Sequence, residues 1–322
     1  MNIDLTIHSF SLTQHFRHVP GFDAHSFVDL ARAHHLQGIS LSLNDPNFRH
    51  LGGREPERMD RLRARLEHEG MSLEIDTSGT EPGHMRQMIA VAERMGAGSL
   101  RTYTRHKGTP AQMAAATAQD LAAVMENAAR AGVVVVLENH EDFTGPELAA
   151  IIGAVDHANL RILYDYGNSQ MVLEDPVRAL AAVLPFVHSV HVKDHVMVRA
   201  ADSGCLTVAG VPMGDGALPI RRLTRRLLQQ GLRRLTFESV WAYSAPIRDG
   251  RVALSGVTVG EGSFRWQDPP FDPKHLILDP SRHQAPDLVA WEKAALERGL
   301  AWFKRDLLAL GCTGAWTAGQ CG

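Results

Sequence analysis

Cysteine is the first scarcity: three in 322 residues, Cys205, Cys312 and Cys321, with no CxxC spacing among them. That argues against a disulfide framework and fits a reducing compartment. Basic charge is not in excess either. Lysine and arginine number 33 against 36 acidic residues, a formal net charge of −3, whereas dedicated nucleic-acid binders carry a surplus of cations. Arg221, Arg222, Arg225, Arg226, Arg233 and Arg234 do gather in one stretch, but at helical spacing they make a solvated outer face. No apolar run reaches the length of a membrane span, and the opening MNIDLTIHSFSLTQHF lacks a basic region leading into an apolar one. A cytoplasmic protein with no nucleic-acid and no membrane partner is expected. No glycine-rich loop follows the first strand-like run, which removes the usual support for an open dinucleotide-binding sheet.

What the chain does have is alternation. Hydrophobic residues make up 44% and charged residues 21%, the balance of an ordinary globular protein. Short strand-like runs recur: IDLTIH (3–8), GISLSL (38–43), SLEIDT (72–77), SLRTYT (99–104), VVVVLEN (133–139), RILYDY (161–166), HSVHVKD (188–194) and RLTFESV (234–240). Helical periodicity fills the gaps at 23–34, 55–69, 82–95, 110–131, 145–155, 175–184 and 217–230. A last helix is expected over 286–309, with Trp291, Ala295 and Trp302 along one stripe.

Strands alternating with helices predict a parallel sheet. Eight such units predict a closed (β/α)8 TIM barrel, one α/β domain over residues 1–311 with 312–322 as a flexible tail. Two connections, 195–216 and 241–285, are too long to be simple turns. They follow the seventh and eighth strands, so they should rise from the carboxyl-terminal face as lid, specificity wall or oligomer contact.

The strand ends carry the chemistry. HSVHVKDH (188–195) sets Ser189, His191, Lys193 and His195 on one side of a strand, and burying such groups without partners is costly. In VVVVLENH the inward series Val134, Val136 ends in Glu138; in RILYDYGN Leu163 is followed by Asp165; LTFESVW supplies Glu238. Four consecutive strands thus each end in a ligand-type residue, and in a barrel these ends converge. Carboxylates with one imidazole suit a divalent cation such as Mn2+, Mg2+, Co2+ or Zn2+. Without a cation the acids would repel and some would take up protons.

Strand ends reading E-N-H, D-Y-G-N, H-V-K-D and F-E-S resemble those of the xylose-isomerase-like TIM-barrel superfamily, which holds ketose 3-epimerases, hydroxypyruvate isomerases, inosose dehydratases and endonuclease IV. DYGNSQMVLEDP is similar to the family's D-x-G-N/H followed by an E-D-P helix start, and VPMGDGALP to the glycine-bearing loop before its seventh helix. The resemblance runs over residues 3–310. It implies one divalent metal, Mn2+ foremost, held by Glu138, Asp165, His191 and Glu238, with Glu138 and Glu238 also the acid–base pair.

Such a site acidifies the C–H between a carbonyl and its neighbouring hydroxyl and stabilises the enediolate. Carboxylates on opposite faces invert a stereocentre; a pair on one face moves the carbonyl. The expected activity is epimerisation or isomerisation of a ketose-type sugar. The alternative is a lyase, a dehydratase or decarboxylase of a keto-sugar or keto-sugar acid, where a leaving group sits β to the carbonyl. The resemblance also implies a homo-oligomer, dimer or tetramer.

Departures narrow this reading. Asn168 stands where several epimerases carry a substrate-contacting histidine, and no D-x-H follows His191 in the next long segment. The three-zinc set of endonuclease IV is therefore incomplete, and DNA repair is not expected. For carbohydrate binding the candidates are His140, Asn168 and Lys193 beside the ligand residues, Arg199 in the first long connection and Trp241 in the second. Asp194 should point outward and brace a loop or a histidine; His8 and Arg101 could reach the pocket. A non-catalytic sugar-binding barrel is the reading from another class, and the intact pair Glu138 and Glu238 argues against it.

Overall fold

The computed structural model describes residues 1–199, 206–247 and 256–317. All eight expected strands form. Strands β1 (Asp4–His8), β2 (Gly38–Ser42), β3 (Ser72–Asp76), β4 (Ser99–Thr102), β5 (Val134–Glu138), β6 (Leu160–Asp165) and β7 (Val187–Val192) follow one another around a barrel, and β10 (Arg234–Phe237) closes it against β1. Every pairing around the ring is parallel.

The helices follow from local sequence. Pro56, Pro82 and Pro176 open α3 (Pro56–Glu69), α4 (Pro82–Met95) and α8 (Pro176–Val183), where a missing N–H costs nothing. Asp23 caps α2 (Ala24–Ala33), which follows a short α1 (Thr13–His18), by accepting from His25 and Ser26 N–H. The stretch 110–131, expected as one helix, is two: α5 (Pro110–Ala122) and α6 (Met125–Ala131), parted at Val124, whose ψ of −5° leaves helical geometry. Helices α7 (Gly145–Val155), α9 (Ile220–Gln229) and α10 (Ala285–Ala309) complete the outer layer. No helix of the described residues is long and apolar enough to cross a membrane.

The hydrophobic core lies between barrel and helices. Leu5, Ile7, Ile39, Leu41, Val135, Leu137, Val190, Val192, Leu235 and Phe237 alternate outward along their strands and belong to the main cluster. The inward positions are different. Thr6 meets Thr236 at 2.9 Å, Ser40 reaches Asp76 at 3.1 Å and Ser99 reaches Glu74 at 2.7 Å, all buried. A barrel axis usually filled by branched apolar side chains here carries hydrogen-bonded polar groups beside the inward Val136 and Leu163.

Two expectations change. The segment 195–216 is not an irregular loop: β8 (Asp194–Arg199) and β9 (Leu206–Val211) pair antiparallel, and β11 (Ser244–Pro246) adds from the other long connection. Alternating β-branched residues in HVMV and TVAGV favour strand over loop. The cluster Met171, Leu173, Met197, Val208, Ile247 and Phe264 joins this small sheet to the barrel rim. The flexible tail is also corrected, over 312–317. Ile3 N–H donates to Thr313 O at 2.8 Å, and the fully buried Trp316 donates its indole N–H to Ile3 O at 3.0 Å. Residues 318–322, with Cys321, and Cys205 lie outside the described residues.

Candidate active site

The four strand-end residues meet. Asp165 at the end of β6 is in register with His191 on β7, and the Glu238 N–H just past β10 bonds to Val192 O at 2.9 Å. His191 Nδ1 lies 3.8 Å from Glu138 Oε1 and 3.8 Å from Glu238 Oε2. Asn139 clamps the ends of β5 and β6: its amide donates to Asp165 O at 2.9 Å and accepts from Asp165 N at 2.6 Å. One oxygen of Asp165 then accepts the N–H groups of Gly167 and Asn168, at 2.8 and 3.1 Å. That fixes its carboxylate and leaves Oδ2 facing the centre.

Lys193 lies inward as expected, its ammonium 2.7 Å from Asp165 Oδ2 and 3.0 Å from Glu238 Oε2. Asn168 bridges Glu138 Oε1 at 3.3 Å and Lys193 Nζ at 3.4 Å. His140 lies parallel on the Tyr103 ring, centroids 3.8 Å apart. Asp194 braces a loop, accepting from the N–H groups of His195, Gly214, Gly216 and Leu218.

Two candidates for substrate binding are elsewhere. Trp241 is buried in the second connection, its ring at 6.4 Å from Trp291 and its N–H donated to Pro273 O at 2.8 Å. With Ile277 it packs that segment against Leu288, Trp291 and Ala295 of α10. Arg199 lies exposed at the end of β8 with its guanidinium 4.6 Å over Trp266, outside the chamber that the strand ends line.

Sequence reasoning passed over Glu74 and Asp76. Both are buried on β3, and their period-two spacing in SLEIDT was the available signal. Asp76 hydrogen-bonds His8 Nε2, and His8 Nδ1 lies 3.0 Å from Glu238 Oε1. Arg101 stands between Asp76 at 3.6 Å and Glu138 at 3.3 Å. Glu74 Oε1 is 3.5 Å from His191 Nε2.

Charge in this centre is unbalanced. Five buried carboxylates (Glu74, Asp76, Glu138, Asp165 and Glu238) face the permanent cations Arg101 and Lys193. Burial alone would make His8 less basic, but Asp76 and Glu238 lift it to about 10, so it adds a third positive charge. The remaining deficit is visible in the acids. Burial pushes Glu138 up to about 7 despite Arg101, and raises Asp165 despite Lys193. Glu238, though as deeply buried, is held well below the usual carboxylate range by Lys193 and His8.

A divalent cation would close that deficit, and the donor atoms fit one. Glu138, Asp165 and His191 each offer an atom within 4.8 Å of the others, as do His8, Asp76 and His191. Glu138 Oε2 and His191 Nδ1 are buried without a well-formed hydrogen bond, their nearest ion-pair partners at 3.3 and 3.8 Å, while the Lys193 ammonium alone holds Asp165 Oδ2 and Glu238 Oε2 at 2.7 and 3.0 Å. Natural proteins rarely leave such atoms so; hard oxygens with one imidazole are a cation's ligands.

A closed parallel barrel with a buried carboxylate–imidazole centre at its carboxyl-terminal rim defines the class. The family model described as xylose isomerase-like TIM barrel matches residues 10–251, and the chain belongs to that family. It is 26% identical over 204 residues to YihM of Escherichia coli (strain K12), an uncharacterized protein, covering 63% of this chain and 62% of YihM. It is 26% identical over 166 residues to the 3-oxo-isoapionate decarboxylase of Pectobacterium atrosepticum, covering 51% of this chain and 59% of that enzyme. The chain thus spans less than two thirds of the length of these relatives.

Among solved structures, L-ribulose 3-epimerase superposes with a TM-score of 0.62 at 17% identity, over 96% of this chain and 95% of its own. A xylose isomerase-like protein from Mycobacterium smegmatis in complex with magnesium does so at 0.54 and 18%, over 73% and 89%. At such identities the likeness is one of fold. The relatives include both an epimerase and a decarboxylase.

Proposed function

We propose that this protein is a divalent-metal-dependent epimerase or isomerase of a ketose-type carbohydrate, working through an enediolate. The observation that carries the reading is the placement of Glu138 and Glu238. Each places a carboxylate oxygen 3.8 Å from one nitrogen of His191, and both line the same chamber. Glu138, Asp165, His191 and Glu238 would hold the cation. Bound there, a divalent ion polarises a carbonyl and stabilises the enediolate oxygens.

The protein's own groups do the rest. Glu138, a buried carboxylate that lines the chamber, is the base that takes the proton from the carbon beside the carbonyl. Glu238, itself ionised, lines the same chamber and relays to the carbon a proton from protonated His8, whose Nδ1 lies 3.0 Å from Glu238 Oε1; Glu138 then gives its proton to solvent and His8 regains one. Lys193 and Asn168 hold hydroxyl oxygens, and His140 with Tyr103 walls the chamber.

Incubation of candidate ketoses in D2O tests this by NMR: deuterium should enter at the carbon beside the carbonyl. Glu138→Gln should slow the exchange by about 10^3-fold, in the range for losing a general base. Exchange that proceeds unslowed in Glu138→Gln would contradict the assignment.

A second reading is favoured by a separate observation. Arg101 and Lys193 both line the chamber as permanent cations, which suits a carboxylate on the substrate. A keto-sugar acid held by them would lose CO2 to the same enolate, and similarity to the 3-oxo-isoapionate decarboxylase supports keeping this lyase reading. Release of CO2 without deuterium exchange into recovered substrate would decide for it.

A further inference from the structure

The chamber that Glu138 and Glu238 line is small. Its volume is about 110 Å3, below the ~150 Å3 that takes up one benzene molecule. It admits the reacting carbons of a sugar but not a whole hexose with its hydroxyls. The rest of the substrate must extend outward, and a second cavity of about 420 Å3 adjoins the first.

The two cavities share Tyr103 and His140, whose rings lie parallel at an interplanar angle of 4°. They are linked again where Tyr243, lining the inner chamber, donates its hydroxyl to Glu141, lining the outer one, at 2.8 Å. The outer wall mixes charges, Arg105 and Lys107 together with Glu141 and Asp142. A purely anionic tail would meet as many carboxylates as cations there. Hydroxyl groups both donate and accept, so a polyol is served by both kinds. Arg105 is pre-set, 4.6 Å over the Tyr103 ring and donating to its hydroxyl at 2.6 Å. Lys107 makes no ion pair among the described residues.

From this geometry we infer that the outer cavity binds a second sugar ring, so that the substrate is a keto-sugar joined to another sugar rather than a free monosaccharide. The inference rests on the enediolate reading of the inner chamber for which end of the molecule reacts.

Calorimetry and saturation-transfer NMR on the Mn2+-supplemented protein test it, with D-fructose, the keto-disaccharides lactulose and isomaltulose, and the longer linear sugar sedoheptulose as probes. At least one disaccharide should bind about tenfold more tightly than fructose, the worth of a charge-assisted hydrogen bond, with saturation reaching its second ring. Lys107→Ala should weaken that disaccharide roughly fivefold more than fructose, and Lys107→Arg should restore the difference. Equal affinities, no saturation of the second ring, or a Lys107→Ala loss equal for all probes would overturn the assignment. A preference for sedoheptulose alone would overturn the second ring in favour of a longer chain. Tight disaccharide binding without deuterium exchange would leave the outer cavity assigned and overturn the enediolate reading instead.

Discussion

Glu138 and Glu238 are the same residue type at equal depth, and their surroundings drive them apart. Burial lifts Glu138 to about 7 although Arg101 lies beside it, while Lys193 and His8 hold Glu238 well below the usual range. Two carboxyl groups pushed in opposite directions do not ionise together as the pH rises. A cation must displace the proton from Glu138 below pH 7 and meets an ionised carboxylate above it. Metal affinity, followed by chelator competition between pH 5.5 and 8.5, should therefore rise by about tenfold per unit below 7 and level off above it. An affinity flat across that range would mean that Glu138 is not a ligand. Lys193 competes from the other side, since its ammonium sits 2.7 Å from Asp165 Oδ2 and 3.0 Å from Glu238 Oε2. Lys193→Met should tighten metal binding by roughly tenfold while lowering turnover, because it frees two carboxylate oxygens for the cation. Weaker metal binding in that variant would show that the ammonium organises the acids instead of competing for them.

At the scale of elements, the small sheet above the barrel depends on one carboxylate. Asp194 accepts four backbone N–H groups, three of them from the 214–218 turn that leads to α9. Asp194→Ala would strand those donors and should cost about 4 kcal/mol in urea unfolding; a loss under about 1 kcal/mol would mean that the turn holds itself. Legibility in the sequence followed the same division between local and distant causes. The barrel strands and most helices were readable, because period-two and period-3.6 patterns are local properties of the chain. Glu138 and Asp165 were readable because each closes a strand whose inward stem, Val136 or Leu163, is apolar, and His191 and Glu238 because a ligand-type residue recurs at the ends of the next two strands. Glu74 and Asp76 obey that alternation too, Asp76 closing β3, but only the ring closure brings them to His191 and His8. The pairing of the two long connections was hidden for a similar reason. Ser244–Pro246 reads as loop until β9 stands beside it. Trp241 failed because an indole in a long insertion carries no sign of whether it faces ligand or core.

Taken whole, the molecule keeps most of its apolar material between strands and helices and gathers polar and charged groups along the barrel axis, with Val136 and Leu163 among them. Five carboxylates, two permanent cations and a protonated histidine inside one ring leave two negative charges unmatched. An isolated buried charge is expensive, so the centre must take up protons on acids such as Glu138 and Asp165 or accept a divalent ion, and such an ion would make the proposed chemistry possible. Elemental analysis of purified wild type beside Asp165→Asn, after loading with Mn2+ and desalting, tests this most directly. The asparagine keeps an oxygen for the Gly167 and Asn168 N–H groups, so folding can be checked by circular dichroism. The account predicts about one divalent ion per wild-type chain and a folded variant that has lost it. A wild type without metal, or a variant holding as much as wild type, would contradict it.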